Sequence, residues 1–321
     1  MPLIDMPLAQ LKEYRGVNPC PADFSAFWDA SLAQMRALDP QVEYKAANFS
    51  APGLICQELY FTGMHGVRVQ CNFVRPAQGE GPHPGALFFH GYTGAANGFL
   101  SMLPYAYAGF YCLAMAVRGQ GGKSQDTPVA LGPSCYGQVV RGLHSDDPAD
   151  FYFRDVFLDA AQAADILMTM PQVDENRVGA LGGSQGGGLT LACAALEPRI
   201  AVACAAYPFL SDYRRVWDMD LDDLAYIGLR KYFRVFDPLH EKEEEIFYKL
   251  GYVDVQNLSP RIKARVLMAT GLMDVVCPPS TQFAAYNKIT SPKQSLIYPD
   301  YGHENLPLWN QKCHKLMMTL R

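Results

Sequence analysis

The run Gly182-Gly183-Ser184-Gln185-Gly186-Gly187 carries the G-x-S-x-G pattern of a nucleophile elbow, in which a serine occupies a tight turn between a strand and a helix. An apolar stretch at 177–181 precedes the run and predicts a buried strand, and the Ala- and Leu-rich stretch at 188–196 predicts a helix. Glycines let two backbones approach closely and permit a strained turn that exposes the serine hydroxyl. Because glycine-rich turns with an incidental serine also occur, the interpretation depends on the rest of the chain.

Composition limits the class of protein. The chain has 321 residues, is 49% hydrophobic and carries a net charge of −5, which predicts one α/β domain and no nucleic-acid or anionic-membrane partner. The nine cysteines are odd in number and form no C-x-x-C pair, which favours reduced thiols over a disulfide framework. We expect a cytoplasmic protein, because no signal-peptide pattern and no apolar stretch of membrane-spanning length is present.

Apolar runs and helical periodicities alternate along the chain. An N-terminal extension, residues 1–80, comprises a helix predicted at 23–38 and a hairpin with strands at 57–61 and 67–74. Further strands are predicted at 86–89, 110–117, 178–181, 200–206, 266–270 and 295–298, and helices at 155–170, 184–196, 280–287 and 308–320. This alternation predicts an α/β-hydrolase fold with a mostly parallel central sheet flanked by helices. A long loop at 124–150 and a helical insertion at about 213–256 interrupt the pattern.

A serine nucleophile needs a histidine base, which in this fold follows the serine in the chain and lies just past a strand. Three histidines come after Ser184. His240 begins a charged run and His314 lies within the last predicted helix, whereas His303 directly follows the last predicted strand beside a glycine. His303 is therefore the predicted base.

The acid that orients the base is expected after the preceding strand. Asp274 lies just beyond the strand predicted at 266–270 and is preferred for this role, with an N-cap of the next helix as its alternative. Asp300 competes because it is closer in sequence to His303. A residue three positions away on the same loop is, however, badly placed to meet the far ring nitrogen.

The oxyanion of the reaction needs two backbone donors directed at one point. The N–H of Gln185, directly after the nucleophile, is one candidate, and the N–H of Tyr92, in the glycine-containing loop after the strand at 86–89, is the other. His90 is expected to support that loop. No metal or cofactor is expected, because His303-Glu304 lacks the second histidine of H-E-x-x-H.

Further motifs extend the pattern over nearly the whole chain: Tyr14-Arg15-Gly16-Val17-Asn18-Pro19-Cys20-Pro21, Arg118-Gly119-Gln120, Gly271-Leu272-Met273-Asp274, Cys277-Pro278-Pro279-Ser280 and His303-Glu304. With the serine elbow, these motifs resemble the acetyl xylan esterase and cephalosporin C deacetylase group, carbohydrate esterase family seven. The resemblance implies Ser184 as nucleophile, His303 as base, Asp274 as its partner, and oxyanion donors at Tyr92 and Gln185.

The resemblance also implies substrates and an assembly. It implies removal of acetyl groups from short xylo-oligosaccharides and from cephalosporin C, through an acetyl-enzyme. It further implies a hexamer, built as a dimer of trimers, whose active sites face an internal cavity.

Two groups of residues are candidates for supporting roles. Candidates for the wall of a small acyl pocket, with ordinary core packing as the alternative, are Tyr92, Tyr207, Pro208 and Phe209, with Trp217 as an additional candidate. Arg118, Gln120 and Glu304 are expected to hold neighbouring loops in place.

Two other functional classes stay open at this point. A general short-chain esterase, a thioesterase or a peptidase would share the triad, although the propeller-like N-terminal domain of large serine peptidases is not seen. A non-catalytic binding protein on a hydrolase fold is the remaining alternative. Such proteins usually lose a triad residue or an elbow glycine, and here all are present.

Overall fold

The computed structural model describes residues 4–79, 81–126, 137–221 and 224–321. Within these ranges the strands are β1 (Glu43–Ala46), β2 (Leu54–Thr62), β3 (Arg68–Pro76), β4 (His83–Phe89), β5 (Tyr111–Met115), β6 (Val173–Gly183), β7 (Val202–Ala206), β8 (Arg265–Gly271) and β9 (Lys293–Tyr298). The helices are α1 (Leu8–Leu11), α2 (Phe24–Arg36), α3 (Phe99–Ala106), α4 (Tyr152–Met168), α5 (Gln185–Leu196), α6 (Tyr213–Asp218), α7 (Ile227–Phe236), α8 (Glu243–Leu250), α9 (Val255–Leu258), α10 (Pro279–Lys288) and α11 (Trp309–Met317).

The strands form one sheet in the order β1-β2-β3-β5-β4-β6-β7-β8-β9. β1, β2 and β3 pair antiparallel, β3 pairs antiparallel with β5, and the strands from β5 to β9 pair in parallel. Since parallel neighbours place their carboxyl ends at one edge, the loops after β4, β6, β8 and β9 meet there. The predicted α/β-hydrolase fold with a mostly parallel sheet is confirmed.

Helices cover both faces of the sheet, as its apolar strands require. Every residue of β5 and β7 is buried, and so is every residue of α5. One core cluster joins a face of the sheet to α2, α4 and α5, and a second joins the other face to α3 and α11. This arrangement holds α5, and hence the elbow before it, between buried layers.

The predicted elements are found, with shifts at their ends. The helix predicted at 23–38 is α2, the hairpin is β2 and β3 joined by a turn at Met64–Gly66, and the insertion predicted at 213–256 comprises α6, α7, α8 and the start of α9. The structure adds α1, β1 and α3, and it lengthens the strand before the serine to the eleven residues of β6. The loop predicted at 124–150 contains short helical turns at Gln138–Val140 and Pro148–Asp150, while 127–136, with Cys135, and 222–223 of the insertion lie outside the described residues.

Buried carboxylates tie the N-terminal segment to both ends of the insertion. The Asp212 carboxylate accepts hydrogen bonds from the Tyr14 hydroxyl at 2.7 Å and from the N–H groups of Val17 and Asn18 at 3.0 and 2.8 Å. The N–H of Asp212 in turn donates to the carboxylate of Asp254 at 3.0 Å. Burial, together with the charge of Asp212, raises the pKa of Asp254 to about 7.

Two further properties concern the chain as a whole. The eight cysteines within the described ranges are all free thiols. In the same ranges, every helix is too short or too polar to cross a membrane.

Candidate active site

Ser184 lies between the last residue of β6 and the first residue of α5, as the elbow pattern predicts. Its backbone has φ 58° and ψ −123°, a conformation that is costly for a residue with a side chain. Backbone hydrogen bonds hold it, since the Ser184 N–H donates to the Ala206 carbonyl at 3.0 Å and the Ser184 carbonyl accepts from Phe209 N–H at 3.0 Å. The turn therefore presents the Ser184 hydroxyl at the carboxyl edge of the sheet.

Two glycines allow β6, α5 and β4 to approach one another at this turn. A Cβ atom at Gly186 would lie 2.1 Å from the Phe89 carbonyl oxygen, and one at Gly182 would lie 2.5 Å from the backbone of Gly186. Both positions exclude any side chain, because the opposing atoms belong to backbone. The close approach brings the loop after β4 directly against the start of α5.

A continuous hydrogen-bonded chain links three of the predicted residues. His303 Nε2 lies 2.9 Å from Ser184 Oγ, and His303 Nδ1 lies 2.9 Å from Asp274 Oδ2. With a carboxylate at Nδ1, that nitrogen carries the imidazole proton, so Nε2 accepts the hydrogen bond from the Ser184 hydroxyl. This is the nucleophile, base and acid geometry of a serine hydrolase.

Asp274 is fully buried and held by several donors. Its Oδ1 accepts from the N–H groups of Val276 and Cys277 at 2.9 and 2.8 Å, and Gln282 Nε2 donates to its Oδ2 at 3.3 Å. The alternative role as an N-cap is wrong, because α10 begins after Pro278 and Asp274 bonds within its own turn. The carboxylate is thereby fixed toward the His303 ring.

The loops that carry Asp274 and His303 are hydrogen-bonded to each other. Leu272 N–H donates to the Tyr298 carbonyl and Met273 N–H to the Tyr301 carbonyl, both at 2.9 Å. Glu304 folds back on its own loop, where its Oε1 accepts from Gly302 N–H at 3.0 Å. The competing Asp300 is exposed on the same loop, and Asp274 occupies the place beside Nδ1.

The loop after β4 turns sharply beside the serine. Gly94 N–H donates to the Gly91 carbonyl at 3.0 Å, which closes a turn around Tyr92. His90 braces this loop, with Nδ1 2.7 Å from the Gly91 carbonyl and Nε2 accepting from Val117 N–H at 2.9 Å. Because burial lowers the pKa of His90, the ring remains neutral, which suits one donating and one accepting nitrogen.

Gln120 connects the loop after β4 to the first residue of α5. Its Oε1 accepts from Thr93 N–H at 2.9 Å and from Gln185 Nε2 at 3.0 Å, while its Nε2 lies 2.7 Å from Gln185 Oε1. The Gln120 side chain thus links the residue after Tyr92 to the side chain of Gln185. Gln120, which the sequence predicted to hold neighbouring loops, therefore contacts both the loop after β4 and the start of α5.

Arg118, two residues before Gln120, is completely buried. Its guanidinium makes two hydrogen bonds to Asp159, at 2.6 and 2.7 Å, and a third to Asp155 at 2.9 Å. Burial opposes its charge, but the two carboxylates outweigh that effect and raise the pKa of Arg118. The Tyr152 hydroxyl donates to the Arg118 carbonyl at 2.5 Å, so α4 also holds the backbone that leads to Gln120. Sequence reasoning missed this network, although two acids spaced by four residues in an apolar helix are a visible signal.

The candidate wall residues divide into two sets. The Tyr207 ring is half-buried, with its centroid 4.6 Å from that of His303, and the partly buried Tyr92 ring lies 5.4 Å from that of Phe209. Pro208 and Phe209 are buried, so Phe209 packs behind Tyr92 as core. Trp217 lies in α6, where its ring packs on the helices of the insertion.

Cys277 is a further buried residue at the site that sequence reasoning did not select. Potential metal ligand atoms of Asp274, Cys277 and His303 lie within 4.8 Å of one another, the one such group in the described ranges. Burial, reinforced by Asp274, raises the pKa of the Cys277 thiol. The thiol is therefore protonated and uncharged at neutral pH, and both ring nitrogens of His303 are already hydrogen-bonded, one to Asp274 and one to Ser184.

Comparison with known proteins assigns the chain to a family. The acetyl xylan esterase (AXE1) family matches residues 1–320 of the chain. The chain belongs to the acetyl xylan esterase family. Members of this family are carboxylic ester hydrolases, and the match confirms the resemblance carried by the sequence motifs.

Solved structures support the family assignment over the whole fold. Acetyl xylan esterase 1 from Thermoanaerobacterium sp. JW/SL YS485 is 52% identical, with a TM-score of 0.96 over 98% of this chain and 99% of the other. Acetyl xylan esterase from Paenibacillus sp. R4 is 34% identical, with a TM-score of 0.93 over the same shares of the two chains.

A relative found by sequence also supports the family. Acetyl esterase Axe7A of Xylanibacter ruminicola is 30% identical over 290 residues, which are 88% of this chain and 63% of that protein.

Proposed function

We propose that this acetyl xylan esterase family member is a serine acetylesterase that acts on short acetylated carbohydrates. The observation that carries the proposal is the unbroken chain of hydrogen bonds from Ser184 through His303 to Asp274, with both contacts at 2.9 Å. Family membership supports the acetyl ester as the bond that is cleaved.

In the proposed mechanism, Ser184 Oγ attacks the acetyl carbonyl carbon as His303 Nε2 takes the hydroxyl proton. Asp274 accepts from Nδ1–H and stabilises the imidazolium that forms. The imidazolium then donates its proton to the sugar oxygen, the C–O bond breaks, and an acetyl-enzyme remains. Water repeats the sequence, with His303 again as base, and releases acetate and free Ser184.

The tetrahedral oxyanion is proposed to rest on the N–H groups of Tyr92 and Gln185. Gln185 is the first residue of α5, so its N–H has no acceptor within the helix and lies at the positive end of the helix dipole. Tyr92 is fixed by its turn and by its hydroxyl, which accepts from Gln138 N–H at 2.7 Å. Gln120 joins both sides of the hole, as described above.

A preference for acetyl over longer acyl groups is proposed from the aromatic rings near the serine. The Tyr207 ring lies beside the turn, since a Cβ atom at Gly183 would meet it at an ordinary contact distance of 3.4 Å. Tyr92 lies in the loop after β4, and these two rings are proposed to bound a small acyl pocket. Acetylated xylo-oligosaccharides are the proposed substrates, and the acetyl group of cephalosporin C is a second small acetyl ester that would fit.

The proposal includes the assembly and the location of the enzyme. We infer a cytoplasmic hexamer, built as a dimer of trimers, whose active sites face an internal cavity. Such a cavity would admit short oligosaccharides rather than polymer. Neither nucleic acid nor a membrane is a proposed partner, given the net charge of −5 without basic blocks.

The decisive experiment is a rate series on p-nitrophenyl acetate, butyrate and octanoate, with acetylated xylo-oligosaccharide and cephalosporin C beside them. Ser184→Ala is expected to lower kcat by about 10⁴-fold or more, whereas Ser101→Ala, at an exposed serine, serves as the matched control. Strong preference for acetate and release of acetate from the oligosaccharide are the expected results. Equal or faster cleavage of octanoate would overturn the small acyl pocket, and an active Ser184→Ala would overturn the nucleophile.

A further inference from the structure

A groove of about 330 Å³ lies on the face of the sheet that α11 covers, next to the amino ends of β8 and β9. Arg265 and Leu267 of β8 and Gln294 and Leu296 of β9 line it. Each pair is two residues apart, so the side chains point to one face of the sheet. One wall of the groove is therefore built from the sheet, and residues of α11 form another.

Three cations surround the groove. Arg265 comes from β8, and Lys312 and Lys315 come from successive turns of α11. None of the three forms an ion pair with an acidic side chain within the described ranges, although most other arginines of the chain do so. Three unpaired positive charges around one concave site, in a chain whose net charge is −5, favour an anionic ligand.

The other residues that line the groove indicate the chemistry of the rest of the ligand. Leu267, Leu296 and Leu316 supply apolar surface, whereas Gln294 and Thr319 supply an amide and a hydroxyl at the rim. Aliphatic side chains suit the C–H face of a sugar ring, and the Gln294 amide can both donate to and accept from ring hydroxyls. The Thr319 hydroxyl donates to the Leu316 carbonyl at 2.7 Å, which leaves it as an acceptor. A volume of about 330 Å³ is at the lower end of the range for small-molecule sites.

We propose that this groove binds an acidic sugar, that is, a carboxylate or a phosphate ester on a polyhydroxylated ring. Arg265, Lys312 and Lys315 would pair with the anionic group, and the leucines would contact the ring. A sugar carboxylate and a sugar phosphate share the polyhydroxylated ring and differ only in the anionic group, and the experiment distinguishes between them.

The groove is separate from the serine site. It lies at the amino ends of β8 and β9, whereas Asp274 and His303 follow their carboxyl ends. A seven-residue strand separates the two ends by roughly 20 Å. Binding in the groove therefore does not depend on the proposed esterase function, and failure of either proposal leaves the other intact.

The test is calorimetric titration of the full chain with glucuronate and glucose 6-phosphate, and with glucose and inorganic phosphate as the neutral and ring-free controls. We expect at least one acidic sugar to bind about tenfold more tightly than either control, with an affinity that falls as salt is raised. Arg265→Gln/Lys315→Gln is expected to weaken that binding by about tenfold, from the loss of two partly solvated ion pairs.

Lys12→Gln/Lys263→Gln removes the same charge at two exposed positions outside the groove and is expected to bind like the parent chain. Esterase activity on p-nitrophenyl acetate is expected to be unchanged in both double variants and reports correct folding. No binding of either acidic sugar, equal loss in both double variants, or equal affinity for inorganic phosphate would overturn the assignment.

Discussion

At the scale of single residues, the site depends on a backbone conformation that its neighbours enforce. Ser184 has positive φ, and the glycines around it let backbone atoms of β4 and α5 come within distances that no side chain permits. Strain of this kind persists only where the surrounding structure determines it fully. Substitutions at these glycines therefore act through geometry rather than through lost contacts.

Gly186→Ala tests this dependence. The added Cβ would lie 2.1 Å from the Phe89 carbonyl oxygen, so either β4 and its loop shift or the chain fails to fold. We expect kcat/KM on p-nitrophenyl acetate to fall at least 100-fold, or the yield of folded protein to collapse. Gly98→Ala is the control, since nothing lies within 4 Å of its added Cβ. Near-normal activity of Gly186→Ala would contradict the close approach.

Gln120 is expected to act on the proposed oxyanion hole only by holding its two sides in position. Gln120→Leu removes the acceptor for Thr93 N–H and the partner of Gln185, so the loop around Tyr92 loses its anchor. We expect kcat to fall about 10- to 100-fold with KM nearly unchanged, because the hole is used most in the transition state.

The matching change at Gln185 provides a second measurement. Gln185→Leu keeps its backbone N–H, and the double variant with Gln120→Leu is expected to be little worse than either single variant. Losses in kcat that simply multiply in the double variant would show that the two amides act independently.

At the scale of elements, α4 supports the site from beneath through charged groups. Its Asp155 and Asp159 accept hydrogen bonds from Arg118, and its Tyr152 holds the Arg118 carbonyl. Asp155 also pairs with Arg154 at 3.2 Å and lies 3.3 Å from His65, whereas Arg118 is the one ion-pair partner of Asp159 in the described ranges. Breaking a buried pair costs more than the pair contributes, since an uncompensated charge remains.

Arg118→Met is therefore expected to lower the free energy of unfolding by about 3–5 kcal/mol. Urea denaturation measures this change, and Arg118→Met/Asp159→Leu should recover part of it by removing a stranded carboxylate. Arg75→Met, at a partly exposed arginine of β3, serves as the control. A loss below about 1 kcal/mol in Arg118→Met would show that water or a rearranged partner compensates Asp159.

The contact between Asp212 and Asp254 predicts a pH dependence of stability. The folded-state pKa of Asp254 is raised to about 7, above its ordinary value of 3.8, so the unfolded chain releases this proton at lower pH. Asp254 therefore stabilises the folded state most below about pH 4. Its contribution to the free energy of unfolding is lost as pH rises to about 7, and this loss is no more than ~1.4 kcal/mol per pH unit.

Asp254→Asn removes this titration. We expect the difference in unfolding free energy between variant and parent to shift in favour of the variant from pH 5 to pH 8, as measured by urea denaturation at each pH. Parallel profiles of the two proteins would contradict a raised pKa at Asp254.

The elements were predictable where burial leaves a pattern in the sequence. β4, β5, β7 and β8 are short apolar runs because both of their faces are covered, whereas β1 is exposed along its whole length and has no such pattern. Helix α3 was missed because Pro104 lies inside it. Within the site, the elbow pattern, the chain order and the positions just past strands predicted Ser184, Asp274 and His303, and the structure brings these three residues together. The contacts of Tyr152 and Cys277 at the site depend on distances between elements, and no spacing in the sequence encodes those distances.

At the scale of the whole molecule, the oligomeric state is the outstanding prediction. A hexamer would have six times the 35.5 kDa mass of the chain. Size-exclusion chromatography with light scattering measures this directly, over a range of protein concentrations. A monomer at all concentrations would overturn the proposed cavity and remove the argument for oligosaccharides over polymer. The proposed triad chemistry would be unaffected, because Ser184, Asp274 and His303 come from one chain.

The sheet order also has a consequence for how the enzyme acquires activity. β4 and β6 are neighbours, yet β5 and α4 lie between them in the sequence, and the acid and base come later still. Pairings of such high contact order form slowly, whereas helices form within microseconds. During refolding from denaturant, the helical circular dichroism signal should therefore recover before ester hydrolysis does.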